Sequence, residues 1–377
     1  MMLGLLLARS GIEALVLEKH ADFLRDFRGD TLHPSTLEVM HELGLLERLL
    51  ALPHDRAPEI SAQVGDTQLR IADFSRLPVR CGFIVMMPQW DFLNFLAKEG
   101  ARYPQFKLRM NAEVTGLLEK GSRVVGVQVN GESIDADLVV GADGRHSTVR
   151  EQAGLQVEKL GAPIDVLWFR LRRKETDPPG SMGRFDAGAI FVLINRRDYW
   201  QCGYVIRKGA MEEVRRAGLP SFRATLGRLL PWAADRAAEI ASWDQVKLLT
   251  VQIDRLRQWW RPGLLCIGDA AHAMSPVGGV GINIAIQDAV AAANRLSNGD
   301  FSTKNLKALQ RRREWPVRVT QRLQIFAQDR VIARVLGSRQ AVRPPALLRF
   351  LTRYRLFRGI PGRLIGMGVR PEHVARR

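Results

Sequence analysis

Leu264-Leu265-Cys266-Ile267-Gly268-Asp269-Ala270-Ala271-His272 leads from four apolar residues into Gly-Asp, and Ser275-Pro276-Val277-Gly278-Gly279-Val280-Gly281-Ile282-Asn283 follows at once. The apolar run predicts a buried strand. Ile282–Leu296 carries helical periodicity, so the pattern is strand, glycine-rich loop, helix. Gly278, Gly279 and Gly281 let a backbone pass close to a flat or anionic ligand without a Cβ in the way. The helix start offers unpaired N–H groups and the positive end of a dipole. Asp269, at the carboxyl end of the strand, can accept a hydrogen bond from a ribose or ribityl hydroxyl. An ordinary flexible connection accounts for any one of these glycines but not for the whole string.

A second string has the same layout. Asp137-Leu138-Val139-Val140-Gly141 is an apolar strand that runs into Ala142-Asp143-Gly144-Arg145-His146-Ser147-Thr148-Val149-Arg150. Ser147 is placed to cap the next helix. Arg150, in its first turn, can reach an acidic neighbour or a phosphate. Near the N-terminus, Ala14-Leu15-Val16-Leu17 reads as a short buried strand ending at Glu18, where an acidic residue can bond ribose hydroxyls. A capped βα turn and an ordinary exposed glutamate are the plainer readings of these two.

The rest of the chain sorts around these strings. Met2–Arg9 is apolar and helix-compatible, and Asp30–Leu50 reads as helical. Residues 55–83 read as antiparallel strands between Pro and Gly breaks, and Trp90–Gly100 as a helix. Glu113–Glu119 and Val124–Val129 form a meander closed by Asn130-Gly131, a strong hairpin signal. Residues 160–207 alternate and are aromatic, which predicts a second domain on an antiparallel sheet; residues 210–240 read as helical. Tyr199, Tyr204 and Arg170 fall on that sheet, and the pattern does not assign them to the pocket side.

Composition excludes several classes. The chain has 377 residues, 46% hydrophobic and 25% charged, which fits a folded protein of two domains or a little more. No apolar run approaches the ~20 residues of a membrane span, and no secretion signal is evident. Cys81, Cys202 and Cys266 are too scattered for a disulfide framework or a zinc site. The expected compartment is the cytoplasm. The net charge is +17, and residues 301–377, with 19 basic and 3 acidic residues, hold +16 of it. A solvated set of arginine-rich helices explains this tail. No aromatic-interleaved basic motif points to nucleic acid.

Taken together and in this order, the three strings resemble the FAD-dependent aromatic-ring monooxygenases of the para-hydroxybenzoate hydroxylase fold, which include the ubiquinone-biosynthesis ring hydroxylases. The resemblance covers residues 1–300. It implies an α/β fold: a Rossmann-like FAD domain of the glutathione-reductase type (1–54, 84–155 and 246–300), a substrate domain (55–83 and 156–245) and basic C-terminal helices (301–377). It implies cofactor contacts at Glu18, Asp143, Gly144, Arg150, Gly268, Asp269, Val280, Gly281, Ile282 and Asn283. Arg28, within Asp26–Glu38, Gln89, in Met87-Pro88-Gln89-Trp90, and Val114 match further family positions that contact FAD. Pro276, Gly278 and Gly279 would wall the flavin ring.

The implied reaction uses NADPH or NADH to reduce FAD, forms a flavin C4a-hydroperoxide with O2 and hydroxylates an electron-rich ring. It needs neither a metal nor a triad, and the oligomeric state is open. The family's G-x-G-x-x-G is not found ahead of Met2–Arg9, so the N-terminal βαβ unit is incomplete and a central parallel strand is expected to be missing. This leaves a start further upstream, or a flavin-less, non-catalytic remnant, as readings. A membrane-associated quinone-precursor hydroxylase is another: in Leu347–Phe357, residues Leu347, Leu348, Leu351 and Tyr354 would face lipid, and Arg349, Arg353 and Arg355 the headgroups.

Overall fold

The computed structural model describes residues 1–24, 31–340, 342–344, 349–350, 352 and 354–375, without the side chains of Arg355 and Leu356. Arg28, Leu347, Leu348, Leu351 and Arg353 lie outside the described residues.

The first domain is built on short parallel pairings. Val139–Gly141 pairs in parallel with Leu264–Cys266, and Ala14–Leu17 pairs in parallel with Phe106–Arg109. These pairs belong to two separate sheets. Leu264, Leu265 and Cys266 are fully buried, as a strand covered on both faces should be. Ala14–Leu17 is a strand but not a buried one: Leu15 is 45% exposed. Helix Gly281–Leu296 packs against helix Met2–Arg9, and its run Ala289–Ala293 is small enough to sit wholly inside the core.

The stretch expected to be helical over Asp30–Leu50 opens with a short strand, Thr31–Leu32, and then forms two helices, Pro34–Glu42 and Leu46–Leu50. Pro34 suits a first helical position. Gly44, at φ +69°, breaks the chain between the helices although the apolar spacing continues across it. Thr31–Leu32 pairs with Ile84–Met86, which also pairs with Asp55–Ala57. The Asn130-Gly131 turn has φ of 51° and 85°, the left-handed pair a two-residue hairpin needs.

The second domain is a seven-stranded sheet in the order 247–249, 164–172, 199–207, 189–195, 182–186, 59–64, 67–73. Met182–Asp186 and Glu59–Val64 run parallel, and this pairing joins the two distant sequence segments. Side chains alternate along Ile164–Arg172. Leu167, Phe169 and Leu171 pack with Phe191, Trp200 and Phe222 under the helices of residues 211–239. Tyr204 belongs to that covered face, stacked on Phe191 with ring centroids 4.7 Å apart. Val166, Trp168, Ile190 and Val205 turn to the other face and meet Val277 of the glycine-rich loop, with Ile332 and Val335 beyond it.

Helix Thr303–Ala327 then lies along the first domain. The final segment is not helical. Glu372 bonds Arg312 at 2.7 Å, and Val374 N–H donates to Glu42 at 2.7 Å, so residues 371–375 are strapped to the first domain. The basic tail is not wholly solvated either, because Arg313 and Arg358 are buried. Among the described residues no helix is long and apolar enough to cross a membrane.

Candidate functional site: a glycine-rich loop held by distant side chains

Gly268, at φ +58°, turns the chain sharply after the Leu264–Cys266 strand, and a Cβ there would sit 3.0 Å from Ala285. Its N–H donates to Asp288 at 3.1 Å. Asp288 is buried and also accepts from His272 Nε2 at 2.5 Å and Arg313 Nε at 2.8 Å. Burial alone would raise the Asp288 carboxyl, but His272 and Arg313 together hold it below the usual range. His272 is therefore committed to the loop's foundation.

The glycine pair is held from the other side. Asn283 Nδ2 donates to the carbonyls of Thr31 at 3.0 Å and Gly279 at 3.1 Å, and its Oδ1 accepts from His33 N–H and Thr36 Oγ1, both at 2.8 Å. Thr31 Oγ1 donates to the same Gly279 carbonyl at 3.0 Å. Gly278 and Gly279 have φ of +81° and +62°. A Cβ on Gly279 would lie 2.5 Å from Thr31 Oγ1, so glycine is required there by both space and backbone.

Helix Thr303–Ala327 contributes a row of buried glutamines. Gln321 Nε2 donates to the carbonyls of Asp254 at 2.8 Å and Ala273 at 3.2 Å. Gln324 donates to those of Ser275 at 3.0 Å and Val277 at 2.9 Å and accepts from Ser275 N–H at 3.2 Å. Gln328 continues the row, its Nε2 donating to Ser275 Oγ. These residues, with Asp288 and Arg313, were not anticipated; glutamines at 321, 324 and 328 recur at helical spacing, a signal visible in the sequence once one side of the helix is known to be buried.

The Asp143 string meets the loop through Arg150. Ser147 Oγ donates to Asp143 and accepts from Arg150 N–H at 3.0 Å, the expected cap, while Asp143 also accepts from Val149 N–H at 3.1 Å. The Arg150 guanidinium reaches Asp254 at 3.5 Å and the Ala270 carbonyl at 3.4 Å. Beside them Gly144, at φ +86°, has open space where a Cβ would be. Gln89 opens helix Gln89–Gly100, just after the strand paired to Thr31–Leu32. Glu18 and Val114 form a separate group: Ala112 N–H donates to the Glu18 carbonyl at 2.8 Å, and the Glu18 carboxylate accepts from His20 N–H at 3.0 Å.

The arrangement fits a flavin dinucleotide on the structure's own terms. Among the described residues no side chain caps the N-terminus of Gly281–Leu296, so the first-turn N–H groups at Gly281, Ile282 and Asn283 could serve a ligand. Within Pro276–Val280, Gly278 and Gly279 take positive φ and carry no Cβ, and Thr31 packs against one side of Gly279. Asp269, part-exposed at the turn, and Glu18 supply carboxylates at two strand ends. Fold and site thus define a Rossmann-like flavoprotein with a separate sheet domain.

The chain belongs to the FAD-binding-domain family, whose model matches residues 1–314. It is 32% identical over 358 residues to 6-methylpretetramide 4-monooxygenase of Streptomyces rimosus, covering 92% of this chain and 85% of that protein. It is 29% identical to rifampicin monooxygenase of Streptomyces venezuelae, covering 76% of this chain but 60% of that one. In fold it is similar to a probable FAD-dependent monooxygenase from Pseudomonas aeruginosa, with TM-score 0.73 and 21% identity over 89% of this chain and 93% of that one. FAD as cofactor and the monooxygenase fold, both expected from the sequence, agree with these likenesses.

Proposed function

We propose that this chain is an FAD- and NAD(P)H-dependent monooxygenase that hydroxylates a phenolic or otherwise electron-rich ring, in a flat substrate of more than one fused ring. The observation that carries the reading is the meeting of the glycine-rich loop with an apolar sheet face, where Val277 packs with Val166, Trp168, Ile190 and Val205. A relative 32% identical to this chain is named 6-methylpretetramide 4-monooxygenase, which supports a monooxygenase reading.

Bound FAD would supply the redox chemistry, taking a hydride from the nicotinamide and activating O2. Asp269 and the first-turn N–H groups of Gly281–Leu296 would hold it, with Glu18 and Val114 at the adenosine end. The N–H groups of the loop and helix start favour negative charge on a bound ring. Trp168 and its apolar neighbours exclude water and align a flat substrate. His272 moves no proton in this scheme, because Asp288 engages it inside the core. In this reading the enzyme works in the cytoplasm, and its basic C-terminal helices are the part of the chain that would meet an anionic surface.

The test is a panel of phenolic and polycyclic aromatic compounds offered to flavin-reconstituted protein with NADPH or NADH under 18O2. The expected result is substrate-stimulated NAD(P)H oxidation with one labelled oxygen atom in the product. Recovery of all reducing equivalents as hydrogen peroxide across the panel, with no oxygenated product, would overturn the reading.

A further inference from the structure

Helix Arg355–Gly366 presents Phe357, Ile360 and Leu364 to solvent at the 3-4 spacing of one helix face. Ile360 is 68% exposed. Phe350, 52% exposed, and Tyr354 extend the face, their rings 4.9 Å apart, and Phe350 lies 6.3 Å from the Phe357 ring. Leu364 shares a small cavity with Pro316 and Thr320 of helix Thr303–Ala327. That neighbouring helix exposes a second apolar stripe, Trp315, Leu323 and Phe326. Scattered exposed apolar residues are normal, but contiguous ridges of this kind mark a contact surface.

Arginines flank the ridge. Arg70, Arg349 and Arg358 line one cleft of about 360 Å³ with Thr67, Gln68 and Thr352. Arg358 is 5% exposed, and its Nε and Nη1 have no hydrogen-bond partner among the described residues. Glu59, 3.7 Å from Arg358 and 3.5 Å from Arg70, offsets part of this charge. Arg363 is exposed on the same helix as the apolar ridge. The whole segment 301–377 carries +16. Such a surface repels a second copy of itself and complements an anionic one.

We propose that this ridge docks the protein on an anionic lipid bilayer. Phe350, Tyr354, Phe357, Ile360 and Leu364 enter the boundary between headgroups and acyl chains, and the Arg70–Arg349–Arg358 cleft and Arg363 bind lipid phosphates. The face differs from the one expected in the sequence, since it runs on through Leu364, ten residues past Tyr354. The inference stands independently of the redox reaction.

The experiment is vesicle flotation of the full chain, with and without FAD, on phosphatidylcholine vesicles and on vesicles with a third phosphatidylglycerol. The expected result is binding to the anionic vesicles, at least about tenfold weaker on the neutral ones and weakened again as salt rises to ~0.5 M. Phe357→Ser/Ile360→Ser should weaken binding at least about tenfold while circular dichroism and urea unfolding stay as in the wild type. Arg349→Gln/Arg363→Gln should reduce the preference for anionic vesicles. Equal or absent binding to both vesicle types, or undiminished binding by the serine variant, would overturn the proposal. So would a solution dimer that the serine variant abolishes and vesicles leave intact, since the ridge would then be an interface between copies.

Discussion

Gln324→Leu tests how the glycine-rich loop keeps its shape. Leucine matches glutamine in bulk, so the change removes hydrogen bonds and leaves no large cavity. Three backbone groups lose their partner: Ser275 N–H, the Ser275 carbonyl and the Val277 carbonyl, bonded at 3.2, 3.0 and 2.9 Å. Ser275 is 1% exposed, so its two groups cannot turn to water, whereas Val277 is part-exposed and its carbonyl can. A buried unsatisfied backbone group costs about 1–3 kcal/mol. Two such groups give roughly 2–6 kcal/mol, and the added apolar burial offsets about 1 kcal/mol.

The protein can meet this cost by unfolding more readily or by letting residues 275–279 shift. Equilibrium urea unfolding reads the first and a flavin fluorescence titration the second. The expected outcome is a loss of at least about 2 kcal/mol in stability, or weaker flavin binding, or a division between the two. Gln310→Leu is the control. Gln310 accepts from Trp259 N–H and donates to the Arg257 carbonyl, ahead of the strand, and makes no bond to residues 275–281. It should cost stability and leave flavin affinity alone. A Gln324→Leu variant within about 0.5 kcal/mol of wild type, with unchanged flavin affinity, would refute the idea that this helix fixes the loop.

His33 is fully buried, and burial lowers it from 6.5 to about 4 despite its bond to the Ile365 carbonyl. Between those values the unfolded chain binds the proton and the folded one does not, so stability falls as pH drops through this window; about 2 kcal/mol should go between pH 7 and 5 and should mostly disappear in His33→Gln, read by urea titrations at both pH values. Gly279→Ala places a Cβ 2.5 Å from Thr31 Oγ1 at φ +62° and should lower both the urea midpoint and flavin occupancy. Gly278→Asn, at φ +81° with its nearest neighbour 3.6 Å away, should be milder in both measurements. Asp269→Ala should weaken FAD binding about 10- to 100-fold by loss of one charge-assisted hydrogen bond, measured as flavin retained on gel filtration; full retention would count against it.

What could be read from the sequence was local. The Leu264–Cys266 strand, the glycine loop and the helix that follows are set by neighbours in the chain, and so are the Asn130-Gly131 turn and the Ser147 cap. The break at Gly44 was hidden because apolar spacing runs on through it, and periodicity cannot sense a backbone dihedral angle. The exposure of Leu15 depends on which strands lie beside it, and four apolar residues look alike inside a sheet or at its edge. The glutamine row and the Asp288 network pair residues 16 to 67 positions apart. Their helical members, Asp288, Arg313, Gln321 and Gln324, have the sequence signature of ordinary polar helix residues.

Those distant pairings bear on the reaction itself. A loop that turns through two left-handed glycines forms few bonds with its own backbone, so something else must hold it. Here side chains do so at three points: Asp288 at Gly268, Gln324 at Ser275 and Val277, and Asn283 at Gly279. Their bonds engage mostly the loop's carbonyl groups, and none of them uses the N–H groups of Ile282 or Asn283. A fixed array of donors costs no reorganisation when negative charge appears on a bound ring, which is where electrostatic stabilisation gains most of its value. Helix Thr303–Ala327 therefore holds the loop through Gln321 and Gln324, neither of which needs to touch a cofactor, and substitutions at these two positions, unlike Gln310→Leu, should alter flavin binding before they alter the sheet domain.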